Sequence, residues 1–143
     1  MDRLNILLVE DNEGDVFLIS EALEELKLPL QISFAKDGRE ALEFLNSCLK
    51  SERNPAPDLV LLDINLPFKN GLEVLKFIKG SDSLRRLPVI MLTTSSNQKD
   101  INDSYTNHAN SYIVKPFGPG GYHEILHKIQ LFWFSLVELP SKI

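Results

Sequence analysis

Short, nearly unbroken apolar runs alternate along this chain with longer segments whose apolar residues recur every three or four positions. Leu4–Val9 reads as a buried strand, and in Asp15–Lys27 the residues Val16, Ile19, Leu23 and Leu26 share one helix face. Gln31–Ala35 predicts a short second strand. Asp37-Gly38-Arg39-Glu40 then offers the acid and following glutamate of a capping box, ahead of Ala41, Leu42, Leu45 and Leu49. Ser51–Asp58, polar and with Pro55 and Pro57, predicts a loop. Leu59–Leu62 is the most continuously apolar strand candidate and runs into Asp63. Beyond it the pattern predicts a helix over Gly71–Lys79, a strand over Val89–Leu92, a weakly apolar helix over Asn97–His108, a strand over Ser111–Val114 and a last helix over Tyr122–Leu139.

Five strands of near-continuous hydrophobicity, each followed by a helix, imply an α/β fold with a parallel sheet covered on both faces. Ligands of such sheets bind beyond the carboxyl ends of the strands. The residues there are Glu10, Asp11 and Asn12; Asp63, Ile64 and Asn65; Thr93, Thr94 and Ser95; and Lys115 with Pro116.

Composition narrows the function. The 143 residues suit one domain, are 43% hydrophobic and 24% charged, and predict one full core with no room for a separate output domain. Fifteen Lys and Arg against twenty Asp and Glu give a net charge of −5, which argues against binding nucleic acid through its phosphates. A lone Cys48 excludes an internal disulfide and a cysteine-based zinc site, and His108, His123 and His127 show no ligand spacing beyond one i,i+4 pair. No apolar run reaches the ~20 residues that span a bilayer. Asp2 and Asn5 interrupt any signal-peptide pattern, so a cytoplasmic location and no membrane partner are expected.

A Glu–Asp pair alone is most simply an exposed loop. Glu10 and Asp11 directly after one buried strand, with Asp63 directly after another, are different: three converging carboxylates cannot all stay ionised without compensation. A hard divalent cation such as Mg²⁺ supplies it. Lys115 would add an ammonium and Thr93 a hydroxyl, where a plain salt bridge and an ordinary strand residue are the simpler alternatives. Cation, ammonium and hydroxyl all stabilise a phosphoryl group, and an Asp carboxylate is a competent nucleophile toward one. Asp63 is the best candidate, since it lies on the central strand between the others.

The fragments Leu-Val-Glu10-Asp11-Asn12, Leu-Leu-Asp63-Ile-Asn65-Leu-Pro67 with Gly71, Met-Leu-Thr93-Thr94 and Tyr112-Ile-Val-Lys115-Pro116-Phe117 resemble, in order and interval, the receiver domain of two-component response regulators over about residues 4–139. The resemblance implies a flavodoxin-like (βα)5 doubly wound, three-layer fold with strand order 2-1-3-4-5. It also implies a phosphorelay role: a phosphoryl group accepted onto Asp63 from a sensor histidine kinase or phosphotransfer protein, and no turnover enzyme. Mg²⁺ (or Mn²⁺) would be held by Asp11, Asp63 and the main-chain carbonyl of Asn65, with Glu10 acting through water. Thr93 and Lys115 would contact the phosphoryl oxygens, the Lys115–Pro116 peptide would be cis, and Tyr112 would turn inward as Thr93 moves. Asn65 and Ser95 would tune self-hydrolysis, and neither is suited to orient water, which implies a long-lived phosphoryl state.

The Pro-containing loop, Asp103-Ser104-Tyr105 with Ala109-Asn110, and the Phe132-Trp133-Phe134…Leu139-Pro140 ending resemble the single-domain regulators that partner phytochrome kinases. Gly118-Pro119-Gly120-Gly121 departs from the usual helix-starting segment and predicts a looser loop after Lys115. In an α-helix Phe132, Trp133 and Phe134 cover about 200° and cannot all enter one core, so a homodimer through Phe132, Trp133 and Val137 is expected. Other classes fit less well. A flavin enzyme would need a phosphate-binding loop where Glu10 and Asp11 stand, an aspartyl phosphatase would carry its nucleophile after the first strand, and a non-phosphorylated scaffold of the same fold would lack one of the acids, Thr93 or Lys115.

Overall fold

Strand register sets the frame of the molecule. The computed structural model describes residues 3–50, 56–118 and 120–141. Its parallel sheet is built from β1 (Leu4–Val9), β2 (Leu30–Ala35), β3 (Leu59–Leu62), β4 (Val89–Thr93) and β5 (Ser111–Val114), in the order β2-β1-β3-β4-β5. Between them run α1 (Glu13–Glu25), α2 (Gly38–Lys50), α3 (Gly71–Gly80) and α4 (Gln98–Thr106), and α5 (Gly121–Ile129) follows β5. This is the flavodoxin-like doubly wound fold that the sequence implies. The expected loop before β3 lies largely outside the described residues, at positions 51–55.

Alternate residues of β1, β3 and β4 feed two cores, which is why these central strands are largely apolar on both faces. Leu7, Val9, Val60, Leu62, Val89 and Met91 point to the side covered by α2 and α3, where Leu45, Val74, Leu75 and Ile78 are fully buried. Ile6, Leu8, Leu59, Leu61, Ile90 and Leu92 point to the side covered by α1 and α5, against Ile19, Leu23, Tyr122 and Leu126. Each buried Leu or Ile side chain contributes about 1.5–3 kcal/mol by leaving water.

Local signals set the helix starts. Asn12 caps α1 by accepting the Asp15 N–H at 2.9 Å, and Asn70 and Glu73 form a reciprocal capping box on α3. The expected box at α2 is half formed: Asp37 accepts the Glu40 N–H at 2.8 Å, but the Glu40 carboxylate reaches back to the Lys36 N–H instead of to Asp37. Gly71 opens α3 where a Cβ would overlap the Asp63 carbonyl, so its bare Cα lets α3 abut the segment after β3.

The last helix differs from its expectation. It is α-helical only to Ile129; Gln130–Leu136 is a π-helix, with the Val137 N–H donating to the Phe132 carbonyl five residues back at 3.0 Å. An apolar run on every side gave the sequence no preferred face, and the wider helix resolves the crowding by turning Trp133 and Phe134 together toward the core of Ile19, Leu126 and Ile129. Leu131, Phe132 and Leu136 stay 55%, 48% and 71% exposed. Of the three residues expected at an interface, Phe132 is therefore exposed, whereas Trp133 and Val137 are half-buried.

Gly71→Ala is expected to cost at least about 2 kcal/mol in denaturant unfolding, in the range for overpacking a close contact. Gly80→Ala, where a Cβ meets nothing within 4 Å, should be neutral or stabilising by up to about 1 kcal/mol. Equal effects would contradict the close approach of α3 to Asp63.

Candidate functional site

The register that pairs Val9 with Leu62 places Glu10 and Asp63, the next residue of each strand, side by side at the carboxyl edge. The Asp63 N–H still donates to the Val9 carbonyl at 3.1 Å, so the backbone is held as the strands end. Across the sheet, Thr93 pairs with Val114, and the Lys115 N–H donates to the Thr93 carbonyl at 2.8 Å. The Lys115 side chain thus starts from a fixed backbone position and reaches across the sheet edge to the acids.

Its ammonium is buried and meets three carboxylates: Glu10 Oε2 at 2.6 Å, Asp15 Oδ2 at 2.9 Å and Asp63 Oδ2 at 3.0 Å. Glu10 and Asp63 are also buried, while Asp11 is exposed at the mouth. Carboxylate oxygens of Glu10, Asp11 and Asp63 lie within 4.8 Å of one another. A set made only of carboxylate oxygens, open on the Asp11 side, fits a hard divalent cation such as Mg²⁺ or Mn²⁺.

Burial pushes the Glu10 carboxyl up to about 7, against the lowering effect of its Lys115 hydrogen bond and with a further upward push from the negative charge of Asp63. Burial alone would lower Lys115, but its bonds to Glu10, Asp15 and Asp63 together outweigh that and hold the ammonium above its ordinary range. The neighbouring carboxylates therefore favour the charged form of Lys115, while burial makes the Glu10 carboxylate easier to protonate.

The other expected residues fall around this cluster. Asn65 is exposed just past Asp63, and its N–H donates to Asp63 Oδ1 at 3.3 Å. Thr93 is wholly buried, and its hydroxyl accepts the Ser95 N–H at 3.4 Å. Ser95 donates its own hydroxyl to Asp100 at 2.6 Å, and the Tyr112 hydroxyl donates to the Ser95 carbonyl at 2.8 Å, tying β5 to the β4–α4 loop.

The expected cis Lys115–Pro116 bond is a correction, because no cis peptide occurs among the described residues. The Lys115–Pro116 peptide is trans, the form an X–Pro bond favours by about 0.5–1 kcal/mol, and the Lys115 ammonium reaches the acids from it. The histidines lie apart from the cluster. His123 pairs across to α1, with Nδ1 2.8 Å from Glu25, and not with His127, while His108 closes α4 with φ +70°. Two residues of the cluster carried no signal as site residues. Asp15 reads in sequence only as an acid in the first turn of α1, and Tyr122 only as the first residue of the last helix.

The chain belongs to the response regulator receiver domain family, whose model matches residues 6–127. Receiver domains interact with histidine kinases or phosphotransfer proteins and bind divalent metal. Among relatives, the chain is 40% identical over 136 residues to Response regulator Rcp1 of Synechocystis sp., covering 95% of this chain and 92% of that protein. It is also 40% identical over 140 residues to the probable methanogenesis regulatory protein FilR2 of Methanothrix harundinacea, covering 98% and 90%. The structure of the phosphorylated cyanobacterial phytochrome response regulator RcpA superposes with a TM-score of 0.91 at 42% identity, over 98% of this chain and 100% of that one. The Mn²⁺-bound form of Rcp1 superposes with a TM-score of 0.89 at 39% identity, over 96% and 99%.

The raised Glu10 carboxyl has a measurable consequence. Between the ordinary glutamate range and about 7, the folded metal-free protein binds a proton that the unfolded chain does not, so stability falls as pH rises through that interval. Thermal unfolding in chelator from about pH 4.5 to about pH 7.5 should show a decline on the order of a few kcal/mol that Glu10→Gln lacks. Divalent-cation affinity should rise over the same interval, since binding expels the proton. Parallel wild-type and Glu10→Gln profiles would contradict this assignment.

Proposed function

We propose that this receiver domain accepts a phosphoryl group from a phosphohistidine onto Asp63 in a reaction that needs Mg²⁺ or Mn²⁺, and that the modified state changes its partner binding. The observation that carries this reading is the buried Lys115 ammonium, 3.0 Å from Asp63 and 2.6 Å from Glu10 at the edge of the sheet. An Asp63 oxygen attacks phosphorus; the new P–O bond forms as the P–N bond breaks, and the electron pair leaves with the imidazole of the donor. Lys115 and the Thr93 hydroxyl stabilise the phosphoryl oxygens. Glu10, Asp11, Asp63 and the Asn65 carbonyl would hold the divalent ion, Glu10 through water, and that ion supplies charge neutralisation at the phosphoryl group when bound. The protein is consumed and regenerated as a switch and does not turn over a free substrate.

Tyr112 supports the switching step. Its hydroxyl is bonded to the Ser95 carbonyl, two residues past Thr93, so a movement of Thr93 toward a phosphoryl group is passed directly to it. The Ser95 hydroxyl is engaged by Asp100, which supports a slow self-hydrolysis of the phosphoryl state. The cognate kinase is proposed to be a phytochrome-type sensor, on the strength of the similarity to RcpA. Phe132 lines, with Ile113, Ile125, Ile129 and Trp133, a groove of about 430 Å³, and it is proposed to form a homodimer face with the exposed Leu131 and Leu136.

Incubation with acetyl phosphate and Mg²⁺ should add the mass of one phosphoryl group to the wild type and none to Asp63→Asn, and the adduct should outlast a few seconds. Modification of both proteins, or of neither, would contradict the acceptor role. In sedimentation at micromolar concentration, with and without beryllofluoride, the wild type should contain dimer and Phe132→Glu should be monomeric; a wild type monomeric in both conditions would remove the dimer face.

A further inference from the structure

Asp15 stands between two partners from distant parts of the chain. Its Oδ2 accepts from the Lys115 ammonium at 2.9 Å, and its Oδ1 accepts from the Tyr122 hydroxyl at 3.1 Å. Tyr122 is 2% exposed, and its ring packs in the core under α1 and α5. Tyr122 follows Gly121, whose bare Cα makes room for the Pro116 ring where a Cβ would overlap it. The glycine-rich turn after Lys115 therefore closes back on Pro116 and delivers the hydroxyl of Tyr122 to Asp15.

We propose that Asp15, fixed by Tyr122, is a positioning residue that tethers Lys115 in both states of the site. A lysine ammonium has three N–H donors, and Glu10, Asp15 and Asp63 take one each. Two of those acceptors belong to the carboxylate set that fits a divalent cation, and Asp63 is also the oxygen donor to phosphorus. Asp15 belongs to neither role. When Glu10 turns to a cation and Asp63 is esterified, the bond to Asp15 alone persists and keeps the ammonium aimed while its other donors move to phosphoryl oxygens. The tether offsets the freedom that glycines at 118, 120 and 121 give the segment after Lys115.

This inference rests on the phosphoacceptor reading, and the test separates the two. Beryllofluoride binding at saturating Mg²⁺, Mg²⁺ binding alone and thermal unfolding are measured by calorimetry for wild type, Tyr122→Phe, Asp15→Asn and the double variant. Tyr122→Phe keeps the packed ring and removes no charge. It should weaken beryllofluoride binding about three- to tenfold, the range of one hydrogen bond, with Mg²⁺ affinity within about twofold of wild type. The double variant should bind no more weakly than Asp15→Asn, because the hydroxyl acts only through that carboxylate. Wild-type affinity in Tyr122→Phe, a loss that persists on the Asp15→Asn background, or an equal fall in Mg²⁺ affinity would overturn the tether alone. No beryllofluoride binding by the wild type would overturn the phosphoacceptor reading and the tether with it.

Discussion

One ammonium group among three carboxylates is the interaction around which this molecule is arranged. Glu10 and Asp63 are forced together by strand register and buried by the helices on either side, an arrangement that repels itself unless a positive charge enters. Lys115 enters from the far side of β4 and satisfies both, with Asp15 as its third acceptor. Breaking such a buried pair from one side costs about 3–5 kcal/mol, comparable with a large share of a small domain's net stability. The protein keeps this charge cluster at the open edge of its sheet, where Asp11 and Asn65 remain exposed to an incoming ligand.

The topology explains why the edge is usable. β2, β1 and β3 end level at Ala35, Val9 and Leu62 and β4 and β5 run two residues further, so residues far apart in sequence come to the same rim with their backbones still in ladder bonds. Gly71 lets α3 approach the segment after β3, and Gly121 lets α5 approach Pro116, so the helices hold the two loops that carry Asp63 and Lys115. The cores below are largely aliphatic. The lysine–carboxylate cluster is confined to one end, where hydrogen bonds through Ser95 join Thr93 and Tyr112 to the β4–α4 loop.

Where the sequence was legible, the signal was local. Leu59–Leu62 has the same limits in sequence and structure, because a short apolar run bounded by polar residues has one way to be buried in a parallel sheet. The four residues that mark the rim, Glu10, Asp63, Thr93 and Lys115, were readable because each directly follows or ends such a run. The last helix was not, since apolar residues on all its sides leave the period undetermined and the π-helical turn follows from packing. The trans Lys115–Pro116 peptide and the Asp15–Tyr122 contact, which joins residues 107 positions apart, lie outside any local run of residues. Neither has a sequence pattern to betray it.

The central claim is that the rim carboxylate beside Lys115 is a nucleophile toward phosphorus. Borodeuteride reduction of protein treated with acetyl phosphate and Mg²⁺, followed by peptide sequencing in a mass spectrometer, locates any acyl phosphate by converting that aspartate to homoserine. Deuterated homoserine is expected at position 63 and at no other acid. Reduction at Asp11 or Asp15 instead, or none anywhere in a folded protein saturated with Mg²⁺, would contradict it.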